Sequence, residues 1–202
     1  MTREKKTITA AEALARLQAD PTYVEMQAKR DLERAKHAEV QRIEEEPLLA
    51  DLRASGWHVT SVWDLVNTSK PYRTAIPVLL NHLTRQYPDR IREGIARALA
   101  VRDAAYAWQM LVAEYLSVPQ GTGVKDGLAA ALAEISSEKV IDELASLAKD
   151  RSNGSSRLLL LSGLRRSNSI VARSALLELK HDPALAKEIN SWGKPQNPGP
   201  RY

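Results

Sequence analysis

The 202-residue chain contains no cysteine. That removes disulfides, thiolate metal sites and cysteine nucleophiles together, and it agrees with a reducing compartment. No apolar run approaches the roughly 18 residues that a membrane-spanning helix needs. No apolar stretch follows Met1-Thr-Arg-Glu-Lys-Lys-Thr7, so a secretory signal is not expected. The protein is therefore read as cytoplasmic, with no membrane partner. Strand signals are scarce: no segment alternates apolar and polar residues between turn formers. Charge of one sign is not concentrated either. The net charge is +4, and residues 137–202 carry 11 Lys/Arg against 7 Asp/Glu. This mildly positive end falls short of the dense basic stripe of a dedicated nucleic-acid binder.

Constellations that carry chemistry are also missing. His37, His58, His82 and His181 are far apart, with no carboxylate at ligand spacing, so each reads as a surface or helix-end residue. Gly-x-Ser-x-Gly, His-Glu-x-x-His and EF-hand patterns are absent. Gly121-Thr-Gly-Val-Lys-Asp-Gly127 resembles a phosphate loop only superficially. Its spacing is wrong and it follows a helix, so a turn capped by Thr122 accounts for it better. Catalytic residues, a metal site and a cofactor are not expected.

The chain does have helical periodicity and enough apolar residues, 44% of the total, to bury a core. Residues 7–19 form a helix with Thr9 as cap and Leu14 and Leu17 as its apolar face. After Asp20-Pro21, a long charged helix runs from Tyr23 to Glu46. Its stripe of Tyr23, Met26, Leu32, Ala35, Val40 and Ile43 is so narrow that the helix must lean on something else or project. Glu44–Glu46 lie at its C-terminal end, where the helix dipole disfavours negative charge, so it frays there or Pro47 opens a new helix. Two short apolar helices, 47–54 and 59–66, are expected next.

From there the pattern repeats. Ile91-Arg-Glu-Gly-Ile-Ala-Arg-Ala-Leu99 matches Val124-Lys-Asp-Gly-Leu-Ala-Ala-Ala-Leu132 in class at eight of nine positions, 33 residues apart. Ser156-Arg-Leu-Leu-Leu-Leu-Ser-Gly-Leu164 follows 32 residues later. An amphipathic helix A precedes each of these B segments: 76–83, 107–116 and 140–147. A fourth pair, 170–179 and 183–192, closes the array. Two helices per period of this length define a solenoid. The expected organisation is an N-terminal helical extension (1–46), an α-solenoid (47–192) and a Pro-rich tail (193–202).

Ala75-Ile-Pro-Val-Leu-Leu, the Pro88-Asp89 turn and the Ala/Leu-rich helix after Ile91-Arg92 resemble the bacterial HEAT repeat. The resemblance covers about residues 72–192 and weakens along the chain. It implies an all-α fold, a right-handed α-α superhelix of about four helix pairs. HEAT-like proteins have many functions, so it assigns none.

The outer columns of the B helices are the candidate partner-binding face: Glu93, Arg97, Asp126, Ala129, Ala133, Leu158, Leu161 and Arg165. Leu158-Leu-Leu-Leu161 makes the third B helix apolar all round, which implies cover on both sides. The cover is either the chain's own N-terminal helix or tail, or a partner protein. Gly94, Gly127 and Gly163 permit close helix approach or contact a ligand, on the side of helix B that faces helix A. Arg92, Lys125 and Arg157 form an anion-binding ladder or internal ion pairs with Asp89 and Asp103. The expected function is a non-catalytic protein-binding scaffold, an adaptor or an immunity-type inhibitor. The alternative is a DNA-binding protein of the HEAT-like alkyl-base glycosylase type, with Trp57, Trp63, Trp108 and Trp192 available. A bilin-lyase role rests on the resemblance alone.

Overall fold

A computed structural model describes residues 9–192, apart from the side chains of Ala13 and His37. The expected tail at 193–202 lies outside the described residues. Those residues form an all-helical structure with no strand among them. The chain divides into two compact units, Met1–Glu44 and Glu45–Tyr202.

In the first, Thr9 and Glu12 make a capping box at the start of α1 (Ala10–Gln18). Asp20 accepts from the backbone of Thr22 as α2 (Pro21–Ala54) begins. Leu14 and Gln18 of α1 line a hollow with Tyr23, Val24, Ala28 and Asp31 of α2.

Contrary to expectation, α2 does not end at the glutamates but continues through Pro47. Two features hold the continuous helix. Leu48, Leu49 and Leu52 are buried, and the Glu45 carboxylate accepts from Val62 N at 2.6 Å and Ser61 Oγ at 3.2 Å. The helix expected over 59–66 is a single turn, α3 (Trp63–Val66). Asp64 takes the backbone N–H groups of Thr60 and Ser61, at 2.8 and 3.2 Å, and so holds the preceding residues in a turn.

The expected pairs are present: α4 (Ile76–Leu83) with α5 (Asp89–Ala98), α6 (Trp108–Ser117) with α7 (Gly123–Ile135), and α8 (Ile141–Lys149) with α9 (Arg157–Arg166). Beyond them lie α10 (Ile170–Leu179) and a shorter α11 (Ala186–Ser191). Within this compact unit α5 packs on α7 and α7 on α9, while α3 packs on α5 and α10 on α8 and α9.

The repeated glycines sit at the first of these contacts. A Cβ on Gly127 would lie 2.9 Å from both Ala96 Cβ and Glu93 O of α5. One on Gly163 would lie 2.9 Å from Ala133 O of α7, and one on Gly94 2.5 Å from Val62 Cγ1 beside α3. The glycines therefore face the preceding helix of the same row, a correction to the expectation that they face helix A; Gly163 also meets its own helix A, at Leu144.

The basic column is internal. Arg92 reaches Leu83 O, Lys125 donates to Tyr115 O at 2.8 Å and Val118 O at 3.2 Å, and Arg157 donates to Ala148 O at 3.3 Å. Each cation thus satisfies carbonyls at the C-terminal end of the preceding helix A, where the helix dipole favours positive charge. The acidic partners differ from the expected Asp89 and Asp103. Glu114 pairs with Arg92, and Asp182 with Arg157 at 3.0 Å. Asp89 instead caps α7 through Gly123 N and Val124 N, at 2.7 and 2.9 Å, and Asp103 pairs with Arg73.

Candidate functional site

The eight candidate residues fall into two groups, which the structure does not merge into one open trough. Ala129 and Leu161 are 0% exposed and Ala133 is 1% exposed. The expectation that the alanines line an accessible face is thereby corrected. With α5 and α9 on either side and α6 behind it, α7 leaves no solvent-facing sector for them.

Around them, half-buried Glu93 accepts from Arg97 Nε at 2.7 Å and pairs with Arg90 at 3.2 Å. Asp126 stands beside this network. Burial pushes its carboxyl above the usual range, Arg97 opposes that shift, and the charges of Glu93 and Asp89 add to it. These charges largely satisfy one another.

The second group forms a site. Leu158, Leu161 and Arg165 of α9, with Glu188 of α11 and Trp192 just beyond it, line a cavity of about 570 Å³. Leu161 belongs to its floor, and Leu158, 41% exposed, stands in its wall. Trp192 Nε1 donates to Glu188 Oε1 at 2.9 Å, which fixes the indole. The Arg165 guanidinium lies over that ring, 4.8 Å from its centroid. Neighbouring Arg166 is engaged elsewhere, by Ala133 O at 2.5 Å and Glu134 at 3.2 Å. Arg165 is exposed and forms no ion pair among the described residues. The result is an apolar basin with a pre-oriented guanidinium on its rim. A guanidinium presents a planar fork of donors that matches a carboxylate, so the site is suited to holding one.

Sequence reasoning found three of these residues and missed Glu188 and Trp192 as their partners. The available signal was the i,i+4 spacing of Glu188 and Trp192, which places both side chains on one face of a helix. A second apolar hollow, about 310 Å³, lies between α10 and α11, at Leu176, Leu177 and Ile189.

The other candidate groups have structural partners. His82 is completely buried, against the expectation of a surface position, although it does occupy the last turn of α4. Its Nε2 meets Asp51 Oδ2 at 2.8 Å and its Nδ1 meets Tyr87 OH at 2.7 Å, tying α4 and the following turn to α2. His58 and His181 are exposed, and the side chain of His37 lies outside the described residues. Among the described residues no group of three or more His, Cys, Asp or Glu could hold a metal ion. Trp57 donates to Thr74 and Trp108 to Glu143, and Trp63 lies beneath Arg90 at 3.6 Å. No described helix is long and apolar enough to cross a membrane.

Compared with known proteins, the chain matches no family model, no curated protein and no solved structure.

Proposed function

We propose that this protein is a non-catalytic scaffold, built as a short right-handed HEAT-like solenoid over about residues 72–192, that holds a partner protein at the α9/α11 cavity. The solenoid reading is supported by the repeated glycine contacts and by the repeated cation at the end of each helix A. The cytoplasm, already expected from the sequence, is the compartment for this reading.

The observation that carries the binding reading is the pairing of an apolar basin with Arg165, a rim cation that forms no ion pair among the described residues. A cavity of this size accepts one or two large apolar side chains, each worth about 1.5–3 kcal/mol when fully buried. A carboxylate reaching Arg165 adds a charge-assisted bond of roughly 1.5–3 kcal/mol. Stacking on Trp192 pre-orders the guanidinium, which lowers the entropic cost of that bond. The fitting partner segment therefore presents an apolar anchor next to an acidic residue. Adaptor and immunity-type inhibitor are both uses of such a surface.

The experiment is affinity capture from the native host with wild type, Leu158→Glu and Arg165→Glu. A protein held by wild type and lost from both variants, with unchanged helicity and melting, is expected. A partner retained equally by all three would reject the site. So would duplex DNA binding at about 50 mM salt that Arg165→Glu weakens while no protein is captured, which would put the nucleic-acid reading in its place.

A further inference from the structure

We propose that α2 pairs antiparallel with the α2 helix of a second copy of this chain, through residues 29–43. This interface is separate from the α9/α11 cavity and does not depend on its function.

The observation is a face with no partner among the described residues. At 100° per residue, Leu32, Lys36, Glu39, Val40 and Ile43 fall within a sector roughly 100° wide. Leu32, Val40 and Ile43 are 56%, 53% and 61% exposed. Lys36 and Glu39 between them have side chains 63% and 57% exposed. Other residues carry the internal contacts of α2. Val24, Ala28 and Asp31 share a hollow with α1.

The face is self-complementary, which a two-fold contact requires. The antiparallel register that sets Leu32 against Ile43 of the second copy also sets Lys36 against Glu39. Because the operation is two-fold, each pairing occurs twice. Apolar Leu–Ile layers then flank a central pair of Lys–Glu contacts. Charge along the helix selects the same orientation. Residues 29–36 hold Lys29, Arg30, Arg34 and Lys36 against Asp31 and Glu33, whereas residues 39–46 hold four glutamates against Arg42. Antiparallel pairing brings the basic half onto the acidic half, and parallel pairing would set like on like. The existing contacts, Lys36–Glu33 at 3.7 Å and Arg42–Glu39 at 2.8 Å, extend into a network rather than having to break.

The area sets the strength. A two-helix seam of this length buries on the order of 500–600 Å² per copy, below the ~800 Å² of a standard interface, which places it among weak, reversible contacts.

The test is sedimentation equilibrium of the full chain at low salt. Wild type should pass from monomer to dimer between about 1 and 300 μM. Lys36→Glu sets glutamate against Glu39 of the second copy, and Glu39→Lys sets lysine against Lys36. Each alone should weaken dimerisation roughly 30-fold, as both exposed Lys–Glu contacts of the dimer change sign. Mixed in equal amounts, the two variants restore attractive pairs at both positions and should form a mixed dimer about as strong as wild type. Circular dichroism checks that helicity is kept in each. A wild type that stays monomeric across the range overturns the proposal. So does either variant dimerising as wild type does, or a mixture no stronger than its components.

Discussion

Gly127→Ala distinguishes a tightly packed helical row from helices that merely lie near one another. On a free helix surface the change would stabilise the protein by about 1 kcal/mol, because glycine costs that much relative to alanine in a helix interior. At Gly127 the added methyl would stand 2.9 Å from Ala96 Cβ and 2.9 Å from Glu93 O. Ordinary contact begins at about 3.5 Å. Neither neighbour is the free end of a flexible side chain, so α5 and α7 must separate by roughly half an ångström along their contact. Overpacking of this kind costs about 1–3 kcal/mol. Set against the propensity gain, the expected result is a net loss of roughly 1 kcal/mol, a melting point lower by about 2–4 °C for a domain of this size. Gly94→Ala should lose at least as much, since Val62 Cγ1, which a Cβ would approach to 2.5 Å, belongs to a fully buried β-branched side chain that is stiff at χ1. Urea unfolding followed by far-UV circular dichroism reads both. A Gly127→Ala protein more stable than wild type by about 1 kcal/mol would refute the packing of α5 against α7.

Two further outcomes concern buried titrating groups. Burial raises the Glu45 carboxyl above its ordinary 4.5, against the opposing bonds from Val62 and Ser61. The folded state then holds the proton more tightly, so stability is lost as pH rises from 4.5 through the raised value. Glu45→Gln keeps the acceptor oxygen and should gain on wild type over that window; a difference that does not change with pH would reject the account. Burial also pushes the Tyr115 hydroxyl from 10.0 to about 12. Unfolding between those values releases a proton, so wild type should lose stability there as pH rises, by an amount on the order of 1–3 kcal/mol. Tyr115→Phe should flatten that loss while costing about 1 kcal/mol at neutral pH, through the missing bond to Ser156 Oγ. Coincident alkaline slopes in urea titrations would refute it.

The helix pairs from Ile76 onward were legible because apolar spacing and Pro/Gly punctuation agree there. Pro88 opens α5, Thr122 caps α7 and Ser169 caps α10, each at a boundary the sequence marks. Pro47 misled because the sequence displays its lost hydrogen bond but not the tertiary contacts that offset it. The Glu45 carboxylate, reaching residues 61 and 62, is not local to α2 at all. The same limit explains the basic column. Its period was visible, but the acceptors of Lys125 and Arg157 are mainly backbone carbonyls, which every residue possesses and no pattern marks.

The site was half legible for a reason that lies in how the row ends. Leu158-Leu-Leu-Leu161 implied cover on every side, and α7, α8 and α10 supply most of it, burying Leu160 and Leu161 completely. The remaining side falls to α11, a helix of six residues none of which is buried. So short an element cannot cover the end of α9, and Leu158 stays 41% exposed beside Trp192. Among the described residues an interior helix of the row has a following helix on its apolar face, whereas α9 has only the six residues of α11 there, and a basin lies between them. Sequence periodicity marks which residues are apolar, whereas the length of the neighbouring helix decides which of them remain within reach of a partner. That is why Leu161 and the alanines of α7, though written in the same columns as Leu158 and Arg165, end up as floor and filler.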